Sequence, residues 1–150
     1  MVKWKEEIII DAPIEQVWQL FMDRNIKRIM PKVEEHLLLE KEDNTLGAKH
    51  SQSYYAGSQL ESYLVETTAF EDTPERKHKA VKFLMSGMFE VEYRYTLEKM
   101  GENQTKFHYE GSNKGANMTA KAMLLAGSKR KREETVRAFM ERVKIEATKA

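Results

Sequence analysis

The feature that most constrains the fold is a series of five turn signals that divide residues 33–112 into six short segments. Each signal contains glycine, proline, asparagine or aspartate, which permit a tight reversal of the backbone. The five lie at residues 43–47, 57–58, 72–75, 86–87 and 101–103. Strands joined by such short connections pair as antiparallel neighbours, so the sequence predicts a six-strand meander.

The hydrophobic pattern within the segments supports strands. From residue 89 to residue 97, aromatic and aliphatic side chains occupy every second position, with charged or polar side chains between them. A period of two is typical of a strand with one buried and one wet face. Segments 81–85 and 105–109 show the same alternation, and segment 60–70 is rich in β-favouring residues. Segments 33–42 and 48–56 carry a weaker signal.

The two ends of the chain have a different periodicity. Residues 2–10 predict a first strand, and Ile14, Val17, Trp18 and Phe21 then fall on one helical face. A second short helix is expected over 25–30, ended by Pro31. A helix over 118–148 would have 31 residues and span about 46 Å, with Gly127-Ser128 as the expected kink. Its apolar stripe comprises Val136, Phe139, Met140, Val143 and Ala147, extended backward through Arg132, Lys129, Leu125, Ala122 and Met118.

These elements predict an α+β fold over residues 1–150, taken as one domain. A curved seven-stranded antiparallel sheet would carry two short helices after its first strand. The C-terminal helix alone is long enough to cross and cover the apolar face of the sheet.

The opening sequence IIIDAPIEQVWQLFMD resembles the first strand and helix of the START-like superfamily, also called SRPBCC or Bet v 1-like, whose fold is the helix grip. Ala12, Pro13, Val17 and Trp18 match the AP-x-x-x-VW pattern of its bacterial polyketide cyclase/dehydrase branch. The resemblance implies a cavity between the sheet and the C-terminal helix that accepts hydrophobic or amphipathic molecules. It does not fix an activity, because this fold hosts carriers, sensors, cyclases and co-chaperone domains.

Composition excludes several classes of function. The 25 basic and 24 acidic residues nearly balance, which gives no global attraction for nucleic acid or membranes. The chain has no cysteine, no apolar run long enough to span a membrane and no signal-peptide pattern. We therefore expect a cytoplasmic protein, monomeric or weakly dimeric, with no cofactor, no nucleic-acid partner and no membrane span.

The candidate ligand-binding residues come from the inward face of the sheet and from the C-terminal helix. They are Tyr54, Tyr63, Phe83, Phe89, Tyr93, Tyr95, Tyr109, Met123, Phe139 and Met140. Buried tyrosine hydroxyls need partners, which in a cavity are water or a ligand. The alternative is an ordinary core whose hydroxyls reach the rim.

No catalytic residue can be assigned from spacing. The histidines lack a metal-binding spacing, so no metal is expected, and His50 is the one histidine considered for acid–base work. Either Glu61 or Glu66 must point inward, because they lie on opposite faces of one strand. The basic run 129–132 is either a rim for an anionic ligand group or a solvated helix turn.

Three functions remain open on sequence alone. We favour a carrier or sensor of a small hydrophobic ligand. The alternatives are a polyketide cyclase or dehydratase, and a protein-interaction module that binds no ligand.

Overall fold

A computed structural model gives the structure of residues 1–41 and 45–149. Positions 43 and 44 of the first turn signal lie outside these described residues. The strands are β1 (Val2–Ile10), β2 (Val33–Glu40), β3 (Lys49–Ala56), β4 (Gln59–Asp72), β5 (Arg76–Met85), β6 (Phe89–Gly101) and β7 (Gln104–Gly115). The helices are α1 (Ile14–Trp18), α2 (Ile26–Ile29), α3 (Met118–Ala126) and α4 (Lys129–Ala147), and 3₁₀ turns occupy Gln19–Phe21 and Asp23–Asn25.

The predicted meander is confirmed. The strands form one seven-stranded antiparallel sheet in the order β1-β7-β6-β5-β4-β3-β2. The β5–β6 hairpin shows how the turn residues set this pairing. Ser86 and Gly87 have positive φ values of 54° and 64°, the Met88 amide donates to the Met85 carbonyl oxygen, and Met85 pairs with Phe89 across this three-residue loop. The fold is therefore the expected α+β helix grip.

The short helices after β1 bury the apolar face that their spacing predicts. Ile14, Val17, Trp18 and Phe21 are at most 4% exposed. Pro13 stands just before α1, where its carbonyl oxygen accepts from the amides of Gln16 and Val17. Segment 14–29 thus forms one wall of the core against the sheet.

The C-terminal helix is interrupted at the expected kink. Gly127 has extended backbone angles, and the Ser128 side chain accepts from the Lys131 amide and so begins a new helix. The predicted stripe holds in α4, where Val136, Met140, Val143 and Ala147 are buried. Its backward extension is wrong, since Leu125 and Met118 are 88% and 80% exposed. The break at 127–128 ends the continuity that this extension assumed.

Candidate functional site

The pocket on the inner face of the sheet lies beneath segment 21–30, whereas the expected cavity lay beneath the C-terminal helix. Its volume is about 30 Å³, enough for about one water molecule. Its lining residues are Phe21, Ile26, Met30, His36, Gln52, Val65, Lys79, Val81, Phe83, Tyr93 and Tyr95. This pocket joins an aromatic wall to a group of polar side chains.

Aromatic side chains fill the space between the sheet and α4. Phe139 from α4 packs against Tyr109 and Tyr95, with ring centroids 4.7 and 5.9 Å apart. Tyr95 and Tyr109 are stacked at 5.5 Å and are almost fully buried. Ring packing of this kind leaves little open volume, so the space under α4 is core in this structure.

The same aromatic layer continues toward the β3–β4 and β5–β6 turns. Tyr63 stacks on Phe83 at 4.5 Å, and Tyr54 meets the Tyr63 ring edge at 5.8 Å. Burial raises the pKa of the Tyr63 hydroxyl to about 12, against a smaller lowering by its hydrogen bond from Gln52. Burial also raises the pKa of Tyr93, Tyr95 and Tyr109. These phenols therefore remain protonated at neutral pH.

A hydrogen-bonded chain leads from the pocket to a carboxylate. The Gln52 amide nitrogen donates to the Tyr63 hydroxyl at 2.7 Å, and its amide oxygen lies 2.7 Å from His36 Nδ1. His36 Nε2 and His50 Nε2 each lie 2.9 Å from the carboxylate of Asp23. Both ring nitrogens of His36 thus lie within hydrogen-bond distance of a side-chain oxygen.

The charge of Asp23 follows from this setting. Burial by itself raises the pKa of the carboxyl group, but the hydrogen bonds and positive charge of His36 and His50 outweigh it. The pKa is therefore held well below its ordinary value of 3.8. Asp23 is an anion at neutral pH and a fixed acceptor for the two imidazoles.

The three groups suggest a metal site by residue type, since two histidines and one carboxylate can ligate zinc or iron. The ring geometry does not fit one ion. The His36 and His50 rings are stacked, with centroids 4.4 Å apart and planes inclined by 18°. An imidazole holds a metal about 2.1 Å from its nitrogen in the ring plane, so one ion bound by both histidines would require the two nearly parallel rings to reorient. The arrangement is a hydrogen-bonded cluster.

A buried cation completes the polar side of the pocket. Lys79 is only 4% exposed, and its Nζ donates to the Phe21 carbonyl oxygen at 3.3 Å. Two residues away on the same face of β5, buried Lys77 is paired with Glu15 and Asp72. The pocket therefore offers a lysine ammonium, an imidazole, an amide and a phenol to whatever enters it.

The structure distributes the predicted ligand-binding residues unequally. Phe83, Tyr93 and Tyr95 line the pocket. Tyr54, Tyr63, Phe89, Tyr109, Phe139 and Met140 belong to the adjoining aromatic layer or the core. Met123 is 53% exposed on α3 and does not reach the pocket. The reason is that α3 packs mainly against β7.

The polar candidates are also sorted by the fold. His50 points inward and is 1% exposed. Glu61 is the inward-parity acid, and it accepts from the Ser86 hydroxyl at the rim, while Glu66 pairs with Lys82 on the outer face. Lys129 contacts Glu133 at 4.0 Å with a side chain that is 84% exposed, so it does not line the pocket.

Sequence reasoning missed His36, Gln52, Lys79 and Asp23. For Lys79 and Gln52, the sequence pattern could have indicated that the side chain points inward. Alternation from Val81 and Phe83 places Lys79 on the inward face, and alternation from Tyr54 places Gln52 there. Asp23 lies in a 3₁₀ turn, and His36 lies on a strand whose period is hidden by three consecutive leucines. For these two, no local pattern indicated the direction of the side chain.

In the part of the chain that the structure describes, no helix is long and apolar enough to cross a membrane.

The fold and the inward-facing aromatic and polar side chains define a helix-grip protein of the START-like, or Bet v 1-like, superfamily. More particularly, the chain belongs to the polyketide cyclase / dehydrase and lipid transport family, whose model matches residues 1–147. A sequence search of curated proteins found no match.

Solved structures with the same fold share little sequence with this chain. A hypothetical protein, jhp0584 from Helicobacter pylori, aligns with a TM-score of 0.77 at 14% identity, over 97% of this chain and 88% of that chain. Ginseng major latex-like protein 151 from Panax ginseng gives 0.70 at 12% identity, covering 99% and 98%. The ZhuI aromatase/cyclase from Streptomyces sp. R1128 gives 0.68 at 15% identity, covering 97% and 93%. At these identities the likeness shows the fold.

Proposed function

We propose that this protein binds a small amphipathic molecule on the inner face of its sheet. The apolar part of the ligand packs against Phe83, Tyr93 and Tyr95, and an anionic or oxygen-bearing group lies beside Lys79, His36 and Gln52. The observation that carries the proposal is the nearly buried Lys79 ammonium in an aromatic pocket. Family membership and the aromatase/cyclase of the same fold support a small-molecule ligand.

Lys79 favours a ligand with an acceptor group. A buried ammonium loses hydration, and the loss must be offset by hydrogen bonds. One of its hydrogen bonds is made to the Phe21 carbonyl oxygen, a neutral acceptor. An anionic ligand group would add a charge-assisted hydrogen bond, which is roughly twice as strong as one between neutral groups.

The volume requires the pocket to open when it binds. A cavity of roughly 150 Å³ is needed to hold a ring as small as benzene, whereas this pocket measures about 30 Å³. Met30 and Tyr63 are only partly buried and pack on the edge of the core. Their movement, together with segment 21–30, would enlarge the pocket without unfolding the sheet.

The test compares two probes on three proteins. 1-Hydroxy-2-naphthoate and naphthalene share an aromatic body, but only the first carries a carboxylate and a phenol. Binding is followed by calorimetry on the wild type, on Lys79→Met, and on Lys82→Met as an outward-facing control from the same strand. We expect the hydroxynaphthoate to bind more tightly than naphthalene, and Lys79→Met to weaken it about tenfold, near the value of one charge-assisted hydrogen bond. No binding of either probe would contradict the proposal.

A second function, an enzyme of the cyclase or dehydratase type, is favoured by one observation. The Tyr63 hydroxyl oxygen accepts a hydrogen bond from Gln52, so the phenol can donate its own proton to a carbonyl oxygen of a bound ligand and favour enolisation there. Exchange of the acidic CH₂ protons of a cyclic 1,3-diketone in D₂O, followed by NMR, tests this. Acceleration by the wild type and its loss in Tyr63→Phe would support the enzyme; equal exchange rates with and without protein would leave binding alone.

A further inference from the structure

Helix α3 exposes the face that a surface helix normally buries. Met118, Ala122 and Leu125 recur at helical spacing on its outer side, and Met118 and Leu125 are 80% and 88% exposed. Met123 is 53% exposed on a different side of the helix, and Ala120 is the one residue of α3 that is buried. Contiguous exposed apolar side chains of this size mark a surface that associates with something else.

The chain around α3 is uniformly basic. Residues 111–132 contain six lysines and arginines and no acidic residue: Lys114, Lys121, Lys129, Arg130, Lys131 and Arg132. The side chains of Lys129 and Arg130 are 84% and 89% exposed. Glu133 and Glu134, which follow Arg132 directly, pair with Lys129 and Arg130, and Glu90 lies opposite Lys114 in the β6–β7 pair. A chain that is nearly neutral overall therefore carries its strongest local positive charge beside its most exposed apolar helix.

Two hydrogen bonds hold the N-terminal end of this helix in position. The Asn117 side chain caps its first turn by accepting from the Ala120 amide at 2.8 Å. The Ala116 amide donates to the Met88 carbonyl oxygen at 2.7 Å, which ties the start of α3 to the β5–β6 turn. Because Ser128 begins α4 independently, α3 does not continue the buried stripe of α4. The exposed face is thus part of the folded arrangement.

We propose that α3 and the basic segment 129–132 form a docking surface for an anionic lipid bilayer. A helix with aliphatic side chains on its outer face and clustered lysines and arginines beside it suits the bilayer interface. There the apolar groups enter the acyl boundary, and the cations meet the anionic headgroups. The surface is independent of the ligand pocket, since none of its residues lines that pocket.

Two other occupants fit the chemistry less well. A second copy of the chain meeting this surface face to face would place six cations against six, which opposes an isologous dimer. Nucleic acid would accept the cations on its phosphates, but it would leave the exposed methionine and leucine side chains without an apolar partner. An anionic bilayer satisfies both the charge and the aliphatic side chains.

The first experiment is flotation with lipid vesicles. We expect the protein to bind vesicles that contain about one third phosphatidylglycerol in phosphatidylcholine, and not to bind vesicles of pure phosphatidylcholine. High salt should release the bound protein, because it screens the headgroup charges. Met118→Ser with Leu125→Ser, and separately glutamine at all four of residues 129–132, should each lower the partition coefficient at least about tenfold.

Matched control variants distinguish binding through this surface from non-specific binding of exposed leucines or lysines elsewhere. Leu37→Ser with Leu39→Ser removes two leucines, each 55% exposed, from the edge strand β2. Glutamine at Lys27, Lys32, Lys99 and Lys106 removes four positive charges elsewhere. Both controls should bind vesicles as the wild type does. Circular dichroism of every variant verifies that the fold is retained.

A site-specific probe reports insertion directly. The chain has no cysteine, so Leu125→Cys can carry a single environment-sensitive fluorophore. Its emission should shift to the blue on anionic vesicles, and the same label on Leu37→Cys should not respond.

Three results would overturn the proposal. One is failure to bind anionic vesicles. Another is a dimer in sedimentation that is lost in the Met118→Ser, Leu125→Ser variant. The third is tighter binding to a DNA or RNA duplex that needs residues 129–132 but tolerates the two serines. None of these outcomes would bear on the pocket, whose naphthoate test uses no lipid.

Discussion

Inward-facing lysines are the residues that most distinguish the inner face of this sheet. Lys77 is paired with Glu15 and Asp72, and these hydrogen bonds outweigh the opposing effect of burial and raise its pKa. Lys79, on the same face, donates to a carbonyl oxygen and lines the pocket. Lys77 ties the start of β5 to α1 through Glu15. Lys79 is the group that we expect to select the ligand.

Asp23 gives a prediction at the scale of one residue. Asp23→Asn removes the anion that both histidines face, and we expect it to lower the free energy of unfolding at pH 7 by about 2 kcal/mol, the size of a charge-assisted bond. The pKa of Asp23 in the folded protein lies below the ordinary 3.8, so its stabilisation is complete above about pH 5 and lost as pH falls through 3.8 toward the folded pKa. The measurement is urea unfolding from pH 7 to 3.5.

The pH dependence of the unfolding free energy shows whether the charge of Asp23 is responsible for the stabilisation. The difference between wild type and Asp23→Asn should shrink as the pH falls below about 5. Asp11→Asn, an exposed control that accepts from Gln104, should run parallel to the wild type. A difference that stays constant over the whole range would argue against the ionic character of the cluster.

At the scale of elements, the contact of α3 with β7 depends on a glycine. A Cβ at Gly115 would lie 2.5 Å from the backbone nitrogen of Lys121. Because that neighbour is backbone, Gly115→Ala must push α3 away from β7, and we expect a loss of about 2 kcal/mol. Hydrogen exchange of the α3 amides should become faster than in the wild type.

Gly101→Ala is the matched control, since nothing lies within 4 Å of its added carbon. Its exchange in α3 should be unchanged. Unaltered exchange in Gly115→Ala would show that α3 does not rely on this close approach.

The other end of the C-terminal region is fixed by charge. Glu146 of α4 contacts Arg28 at 3.1 Å and is also paired with Lys149. These partners lower the pKa of Glu146, despite an opposing contribution from burial. The pair joins α4 to α2, so the helix that closes the aromatic layer is tied to the wall of the pocket.

At the scale of the whole molecule, one aromatic side chain decides whether the space under α4 is core or cavity. Phe139 contacts the rings of Tyr95, Phe107 and Tyr109. Phe139→Ala should cost about 2 kcal/mol of stability, less than for a fully buried phenylalanine because the ring is partly exposed. The space it leaves adjoins Tyr95, which lines the pocket.

We therefore expect Phe139→Ala to bind larger aromatic probes than the wild type, for example anthracene carboxylate in place of hydroxynaphthoate. Calorimetry measures both affinities, and thermal unfolding measures the cost. Met140→Ala provides a comparison, because Met140 is 2% exposed and lies on the buried stripe of α4. A loss of stability without any gain in binding by Phe139→Ala would separate the space under α4 from the pocket.

The sequence by itself determined the strands, their antiparallel order and the helix after β1. These follow from local turn chemistry and from hydrophobic period, which neighbouring residues carry. It also indicated the aromatic inner face and the break at Gly127-Ser128. The motif of Ala12, Pro13, Val17 and Trp18 pointed to the family that its family model confirms.

Only the tertiary structure decided which polar groups meet and how much space remains between them. Asp23, His36, His50, Gln52 and Lys79 come from a 3₁₀ turn and three strands, and their contacts depend on register between segments far apart in the chain. The exposure of the apolar face of α3 could not be predicted from the sequence either, because its apolar residues have the spacing of a buried helix. Local pattern fixes the direction of a side chain within its element, but packing decides what lies opposite it.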